Sequence, residues 1–362
     1  MSNGKKIGII TIHSVYNYGA MLQAYALNKY FMSNGFDSEI IDYQPYHLCK
    51  DYKFYKRDFV LRPYIALAKI KNIIKNNGIH KNFDDFYTEE MVVSKVTYKT
   101  ANSLKLNNYD ILVTGSDQIW NPNIVNYDSS YLLAFSRENQ KKYAYSSSFG
   151  VSTIDDAWSQ EVKLNLNSYM KIGVREDVGV SILNRCGIDC DVKLVLDPVF
   201  LFNRSFWENM SSSALTPVEK YLLVYSLEPS DELILNAQAI ANEKGLSIVT
   251  IHPFNARYSF ADVCINNAGP KEFLSLILNA QFVVTNSFHG TVFSLIFDVP
   301  LHCIAHSSTG SRVTSLFERF KLTPQEELFD DSRIKVVRQN TYSRDLMQSA
   351  IQECKSFLNI SF

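Results

Sequence analysis

The sequence has no excess of charge of either sign: 36 Lys and Arg face 37 Asp and Glu, a formal net charge of -1. Nucleic-acid binding usually needs a basic face, so nucleic acid is excluded as a main partner, while a local basic pocket stays open. Long hydrophobic runs are missing as well. No stretch approaches the roughly 18 to 20 apolar residues that cross a bilayer. Met1 to Lys6 lead straight into an apolar strand without a signal core, which points to a cytoplasmic protein. Cysteines are few and dispersed, at Cys49, Cys186, Cys190, Cys264, Cys303 and Cys354. Cys186 and Cys190 stand near each other, but no second pair completes a zinc site. No metal is expected, and the cysteines read as buried thiols in a reducing compartment.

What is present is an ordinary globular composition, 46% apolar and 20% charged, on 362 residues. That length exceeds one common core and predicts two domains. Lys6 to Ile12, Ala20 to Ser33 and Phe36 to Tyr43 read as strand, helix and strand, the βαβ unit of a parallel sheet. Strands follow at Asp110–Thr114, Lys142–Ser146, Lys171–Val174 and Val192–Leu196, with a helix at Glu176–Arg185. A basic helix is expected over Phe59–Lys75. After a polar stretch at 203–219 the rhythm restarts with strand Tyr221–Leu227, helix Asp231–Lys244 and strand Ser247–Ile251. Helix Pro270–Asn279, strand Phe282–Thr285, helix Thr291–Asp298, strand Leu301–Ile304 and helix Tyr342–Leu358 complete it. The expected domains are 1–208 and 218–335, both α/β, plus a C-terminal helix at 340–362 able to pack back on the first.

Ligands of open α/β sheets bind beyond the carboxyl ends of the strands, which selects four loops. In His13–Gly19, Gly19 precedes a helix whose first turn attracts anions. A turn with an N-cap explains the same residues. In Thr114–Pro122, Asp117 beside Trp120 suits a polyol, the carboxylate accepting hydroxyl hydrogen bonds or acting as base. Asp is also a common cap. Arg175 stands at the start of a helix, where a guanidinium needs an anion. A ligand phosphate or carboxylate would supply it, and so would Glu176, Asp177 or another carboxylate nearby. In Thr285–Gly290, His289 is expected at a helix start at Gly290 or Thr291. An imidazole at such a terminus favours its neutral form, able to act as acid, base or hydrogen-bond donor. A cap or a satisfied core histidine is the plainer alternative.

Taken in order, Asn17–Leu27, Thr114–Asp117, Val174–Asp177, Leu196–Pro198 and Ser287–Gly290 resemble the polysaccharide pyruvyl transferase family, with Arg312 as a sixth point. The resemblance runs from about residue 7 to residue 322. It implies an α/β fold of two Rossmann-like domains facing a central cleft (GT-B-like). It also implies an enzyme that moves a pyruvyl group from phosphoenolpyruvate to a sugar hydroxyl pair, forming a ketal in surface or capsular polysaccharide synthesis. On that reading phosphoenolpyruvate is the donor and a sugar or lipid-linked saccharide the acceptor, with no further cofactor. His289 is the acid, Asp117 the base or acceptor binder, and Arg175 and Arg312 the anion clamps. Asn17, Gly19, Gly115, Ser116, Trp120, Ser287 and Gly290 complete the substrate-binding set. Many family members carry an Arg two residues before the His, where this chain has Ser287. A GT-B-type glycosyltransferase using a nucleotide sugar, or a non-catalytic glycan-binding protein on the same scaffold, are the alternatives.

Overall fold

The computed structural model describes residues 5–53, 77–106, 108–228, 230–252, 258–304 and 311–359. The chain divides into two compact units. Unit 1 combines Met1–Ile70, Glu89–Leu201 and Ala350–Phe362, and unit 2 combines Lys71–Thr88 and Phe202–Ser349.

Unit 1 is built on a six-stranded parallel sheet. Its strands are β1 (Lys6–Ile10), β2 (Asp37–Ile40), β3 (Ile111–Thr114), β4 (Lys141–Ser147), β5 (Lys171–Val174) and β6 (Asp191–Leu194), in the order β2-β1-β3-β4-β5-β6. Every residue of β3 is buried, as expected of a central strand covered on both faces. Helices α1 (Tyr18–Ser33), α2 (Asn77–Glu90, begun in unit 2), α3 (Asp156–Leu166) and α4 (Asp177–Arg185) alternate with the strands. The order reverses between β1 and β3, so the switch point lies where the loops after these two strands diverge.

Unit 2 carries a second parallel sheet of β7 (Tyr221–Tyr225), β8 (Ser247–Ile251), β9 (Val263–Ile265), β10 (Phe282–Thr285) and β11 (Leu301–Cys303). Its helices are α5 (Asp231–Lys244), α6 (Pro270–Leu278), α7 (Phe288–Phe297) and α8 (Ser311–Phe320). The order β9-β8-β7-β10-β11 is the 3-2-1-4-5 arrangement of a dinucleotide-binding half. Its switch point lies between β7 and β10. A hairpin of β12 (Gln325–Phe329) and β13 (Ser332–Val336) is joined to the β11 edge through the Leu301–Val337 bridge. Helix α9 (Thr341–Phe357) ends the described chain. Its last turns belong to unit 1, where Cys354 Sγ accepts from Leu196 N at 3.2 Å and Phe357 lies beside Tyr145.

The helix expected at Phe59–Lys75 lies outside the described residues. Helices α2 and α3, strand β9 and the hairpin were not foreseen. In α2 the apolar stripe is only Ile79, Phe83 and Phe86, all buried, behind an Asn-Gly opening that reads as a turn. The hairpin turns on Asp330 and Asp331, both with positive φ, instead of the Asn-Gly pair that advertises such turns. Among the described residues no helix is long and apolar enough to cross a membrane.

Candidate functional site

Around the switch point of unit 1, a chain of buried hydrogen bonds joins the ends of five strands, β1, β3, β4, β5 and β6. Gln23 Nε2 donates to Thr11 Oγ1 at 3.0 Å, and Thr11 Oγ1 donates to Ser116 O at 2.9 Å. Ser116 Oγ donates to Asp197 Oδ2 at 3.0 Å and to Ser146 Oγ at 3.2 Å. Arg175 Nη1 donates to the same Asp197 oxygen at 2.9 Å, and Nη2 reaches Asp117 Oδ1 at 3.5 Å. Burial opposes the charge on Arg175, but Asp197, Asp117 and Glu176 outweigh it and push the guanidinium above its ordinary value. Glu176 Oε1 accepts from Ser148 Oγ, Phe149 N and Gly150 N. A Cβ on Gly115 would lie 2.8 Å from Thr11 Cβ, so the loops after β1 and β3 meet only because position 115 has no side chain.

Several expectations change here. Trp120 is fully buried, donates to Tyr131 O at 3.1 Å and packs on Phe149, so it is core and not a sugar platform. Arg175 answers its helix-start conflict with Asp197 and Asp117, not with a ligand anion. Asn17 caps α1 by accepting from Ala20 N, which puts Gly19 inside the first turn. Ser116 and Gly115 serve the junction between loops. Of the expected set in this unit Asn17 and Asp117 stay partly exposed, and Asp117, its side chain 18% exposed, has a φ of +73° in the left-handed region uncommon for side chains. Glu176, expected as a possible counter-charge, does act on Arg175, whereas Asp197 and Gln23 were not expected as members of the cluster. The position of Asp197 just past a strand was the available signal.

In unit 2, α7 begins at the β7/β10 switch point. Ser287 Oγ caps it by accepting from Gly290 N at 3.3 Å, three residues before the expected start. His289 and Gly290 therefore stand in the first turn and not in a loop. Thr285 Oγ1 donates to Tyr225 O at 2.6 Å and accepts from Ser287 N at 3.0 Å. Asn286, also unforeseen, staples the loop after β7. Its oxygen accepts from Leu227 N, and its amide donates to Ser226 Oγ and Glu228 O. His289 is largely buried, with its ring 5.2 Å from that of Phe288. The Arg312 guanidinium, buried on α8, lies 5.4 Å above the same Phe288 ring. Ser287, His289, Gly290 and Arg312 are thus brought together. A guanidinium and the positive end of a helix dipole suit an anionic group. Burial pushes the Cys303 thiol beside Thr291 up to about 11, which leaves it unreactive at neutral pH. Among the described residues no group of three or more His, Cys, Asp or Glu could hold a metal ion.

A family model, polysaccharide pyruvyl transferase, matches residues 17–308. The chain belongs to the polysaccharide pyruvyl transferase family. A search of curated proteins gives no match. Among solved structures it is similar to Methanocaldococcus jannaschii UDP-GlcNAc 2-epimerase in complex with UDP-GlcNAc and UDP. There the identity is 15% over 98% of this chain and 93% of that one, with a TM-score of 0.49. UDP-N-acetylglucosamine 2-epimerase from Rickettsia bellii gives 11% over 98% and 96%, TM-score 0.48. Arabidopsis thaliana UGT89C1 complexed with UDP-L-rhamnose gives 12% over 98% and 93%, TM-score 0.44. The two parallel sheets make the fold of this pyruvyl transferase family member GT-B-like, two Rossmann-like α/β lobes.

The phosphoenolpyruvate donor and the ketal-forming pyruvyl transfer expected from the resemblance are corrected. Within the chain, Arg175, expected to clamp the anionic donor, is engaged by Asp197 and Asp117. Ser287, at the position where the resemblance leads one to expect an Arg, is a helix cap.

Proposed function

We propose that this chain is an enzyme acting on a nucleoside-diphosphate sugar, held by unit 2, and that it transfers the sugar to a hydroxylated acceptor. The observation that carries the reading is the N-terminus of α7 at the switch point of a 3-2-1-4-5 sheet, with Arg312 beside it. Nucleotides bind such sheets with their diphosphate at a helix N-terminus. When the bond between the anomeric carbon and the diphosphate oxygen breaks, negative charge grows on the leaving diphosphate. The positive end of α7 and the Arg312 guanidinium are placed to stabilise that charge. His289 in the first turn is the candidate proton donor to it. The acceptor oxygen forms the new bond to the anomeric carbon and loses its proton to a base. The reading puts the reaction in the cytoplasm, where nucleoside-diphosphate sugars are made.

The full chain, incubated with UDP-, GDP- and dTDP-sugars and a set of saccharide acceptors, is expected to release nucleoside diphosphate from at least one donor. His289→Ala should lower that rate by about 100-fold or more if the imidazole transfers a proton. Absence of release from every donor, or an unchanged rate in the variant, contradicts the proposal.

A further inference from the structure

Asn286 stands between the last residue of β10, Thr285, and the cap of α7, Ser287. It is 4% exposed, and its side-chain hydrogen bonds all reach one segment, the loop after β7. Oδ1 accepts from Leu227 N at 2.8 Å, while Nδ2 donates to Glu228 O at 2.8 Å and to Ser226 Oγ at 3.2 Å. Ser226 Oγ donates in turn to Glu228 O at 2.5 Å. One amide, both donor and acceptor, thus holds three successive loop residues. The Leu227 side chain is 44% exposed, so apolar packing of that residue does not set the place of the loop. Thr285 adds a parallel link through Oγ1 to Tyr225 O at 2.6 Å. Residues 285 and 286 thereby carry the contact of β10 with β7 past its last pair, Thr285 with Tyr225. None of the Asn286 bonds serves α7 itself, which Ser287 caps. They fix the distance between its first turn and the loop. At the other end of α7, Arg204 Nη1 donates to Phe297 O at 2.5 Å and Gln339 Nε2 donates to Leu295 O. A helix held at both ends cannot slide along its axis without breaking one set of bonds.

We infer that Asn286 is a positioning residue of the unit 2 site, setting the first turn of α7, and His289 within it, against the loop after β7. The role rests on the reading above, in which the leaving diphosphate meets that turn. Both amide hydrogens of Asn286 are engaged by the loop, so the residue acts through its neighbours and not on the substrate. Proton transfer depends steeply on placement, a shift of about 1 Å costing roughly 100-fold. A bound diphosphate can follow a displaced helix end, whereas an imidazole aimed at one oxygen loses its line. The loss on removing the amide therefore falls on kcat more than on KM.

Nucleoside diphosphate release by the full chain from UDP-, GDP- and dTDP-sugars, measured on Asn286→Ala, His289→Ala and the double variant, tests this. Asn286→Ala should lower kcat by about tenfold or more and raise KM by less than about threefold. In the His289→Ala background the same change should lower kcat by less than about threefold, since the amide acts through the imidazole. Losses that multiply in the double variant, or a loss confined to KM, would overturn the positioning role. Should Asn286→Ala fail to fold, Ser226→Ala removes one partner of the amide and takes its place. It should lower kcat by about threefold in the wild-type background and leave His289→Ala unchanged; equal losses in both would overturn the role. Hydrogen exchange reads the tether without substrate. The Leu227 amide should exchange about tenfold faster in Asn286→Ala, the loss of one buried hydrogen bond, and an unchanged rate would overturn the inference. A wild-type chain that releases no nucleoside diphosphate from any donor would overturn the proposed function, and this role with it. An active wild type whose variant losses multiply overturns the role alone.

Discussion

Replacing Gly290 with alanine probes the geometry on which the unit 2 site depends. A Cβ at this position would lie 2.6 Å from Thr285 Oγ1 and 3.1 Å from Tyr225 Cδ1. Neither neighbour can step aside cheaply. Thr285 Oγ1 is fixed by bonds to Tyr225 O and from Ser287 N, and Tyr225 is buried against Phe273. The N-terminus of α7 must therefore shift away from the ends of β7 and β10. Overpacking of this kind costs about 1–3 kcal/mol, against which alanine regains roughly 1 kcal/mol of helix propensity. The net loss expected is about 0–2 kcal/mol, a fall in Tm of up to roughly 8 °C for a unit of this size. Calorimetry on the full chain reads it, with Gly35→Ala as the comparison. Gly35 has nothing within 4 Å but a φ of +84°, so its cost is backbone strain alone. Affinity for a nucleoside diphosphate should also fall in Gly290→Ala and stay unchanged in Gly35→Ala. A Gly290→Ala chain with wild-type Tm and wild-type diphosphate affinity would refute the reasoning.

Asp197→Asn removes the 2.9 Å ion pair of the buried Arg175 and keeps the 3.5 Å contact to Asp117 and the field of Glu176. Urea denaturation at pH 7 should show a loss of about 2–4 kcal/mol, near the cost of breaking a buried ion pair. Trp120→Phe keeps most of the buried volume but removes the indole N–H that donates to Tyr131 O. It should cost about 1–3 kcal/mol and leave saccharide affinity untouched, whereas a sugar platform would lose affinity. His302 Nδ1 faces Lys335 O at 2.7 Å and Nε2 faces Asn236 Nδ2 at 2.9 Å, an arrangement that suits the neutral ring. Burial holds its pKa below the ordinary value against the opposing pulls of the Lys335 carbonyl and Glu232. Below about pH 6.5 the unfolded chain binds the proton first. Stability is thus whole above that pH and falls as pH drops toward the depressed folded value. His302→Asn should flatten the slope of urea midpoint against pH between 7.5 and 5. An unchanged slope assigns the effect to another histidine.

Regular elements were legible wherever an apolar run carried its own period. Lys171–Val174, Asp231–Lys244, Ser247–Ile251 and Phe282–Thr285 stand where the pattern puts them, because their faces are buried continuously and bounded by polar turns. Elements with thin stripes escaped, as in α2, and so did the hairpin whose turn uses Asp-Asp. The loops were legible as loci, since each of the four does close a parallel strand. Their roles were not. From the sequence Arg175 looks like a ligand clamp, because its partner Asp197 lies 22 residues away and only the fold of β5 beside β6 brings them together. Trp120 beside Asp117 suggests a sugar platform, but adjacent residues in an irregular turn point differently, and the indole goes into the core. The helix after β10 begins two or three residues earlier than its pattern suggests, because Ser287, read as a missing arginine, is the cap that starts it.

Isothermal titration of the full chain with UDP, GDP, dTDP and their sugar conjugates, repeated on His289→Ala and Gly290→Ala, tests the central claim most directly. Saturable one-to-one binding of at least one nucleotide sugar, weakened by about tenfold or more in both variants, is the predicted result for a diphosphate seated at the start of α7. No heat with any nucleotide at millimolar concentration, or binding indifferent to both substitutions, contradicts it.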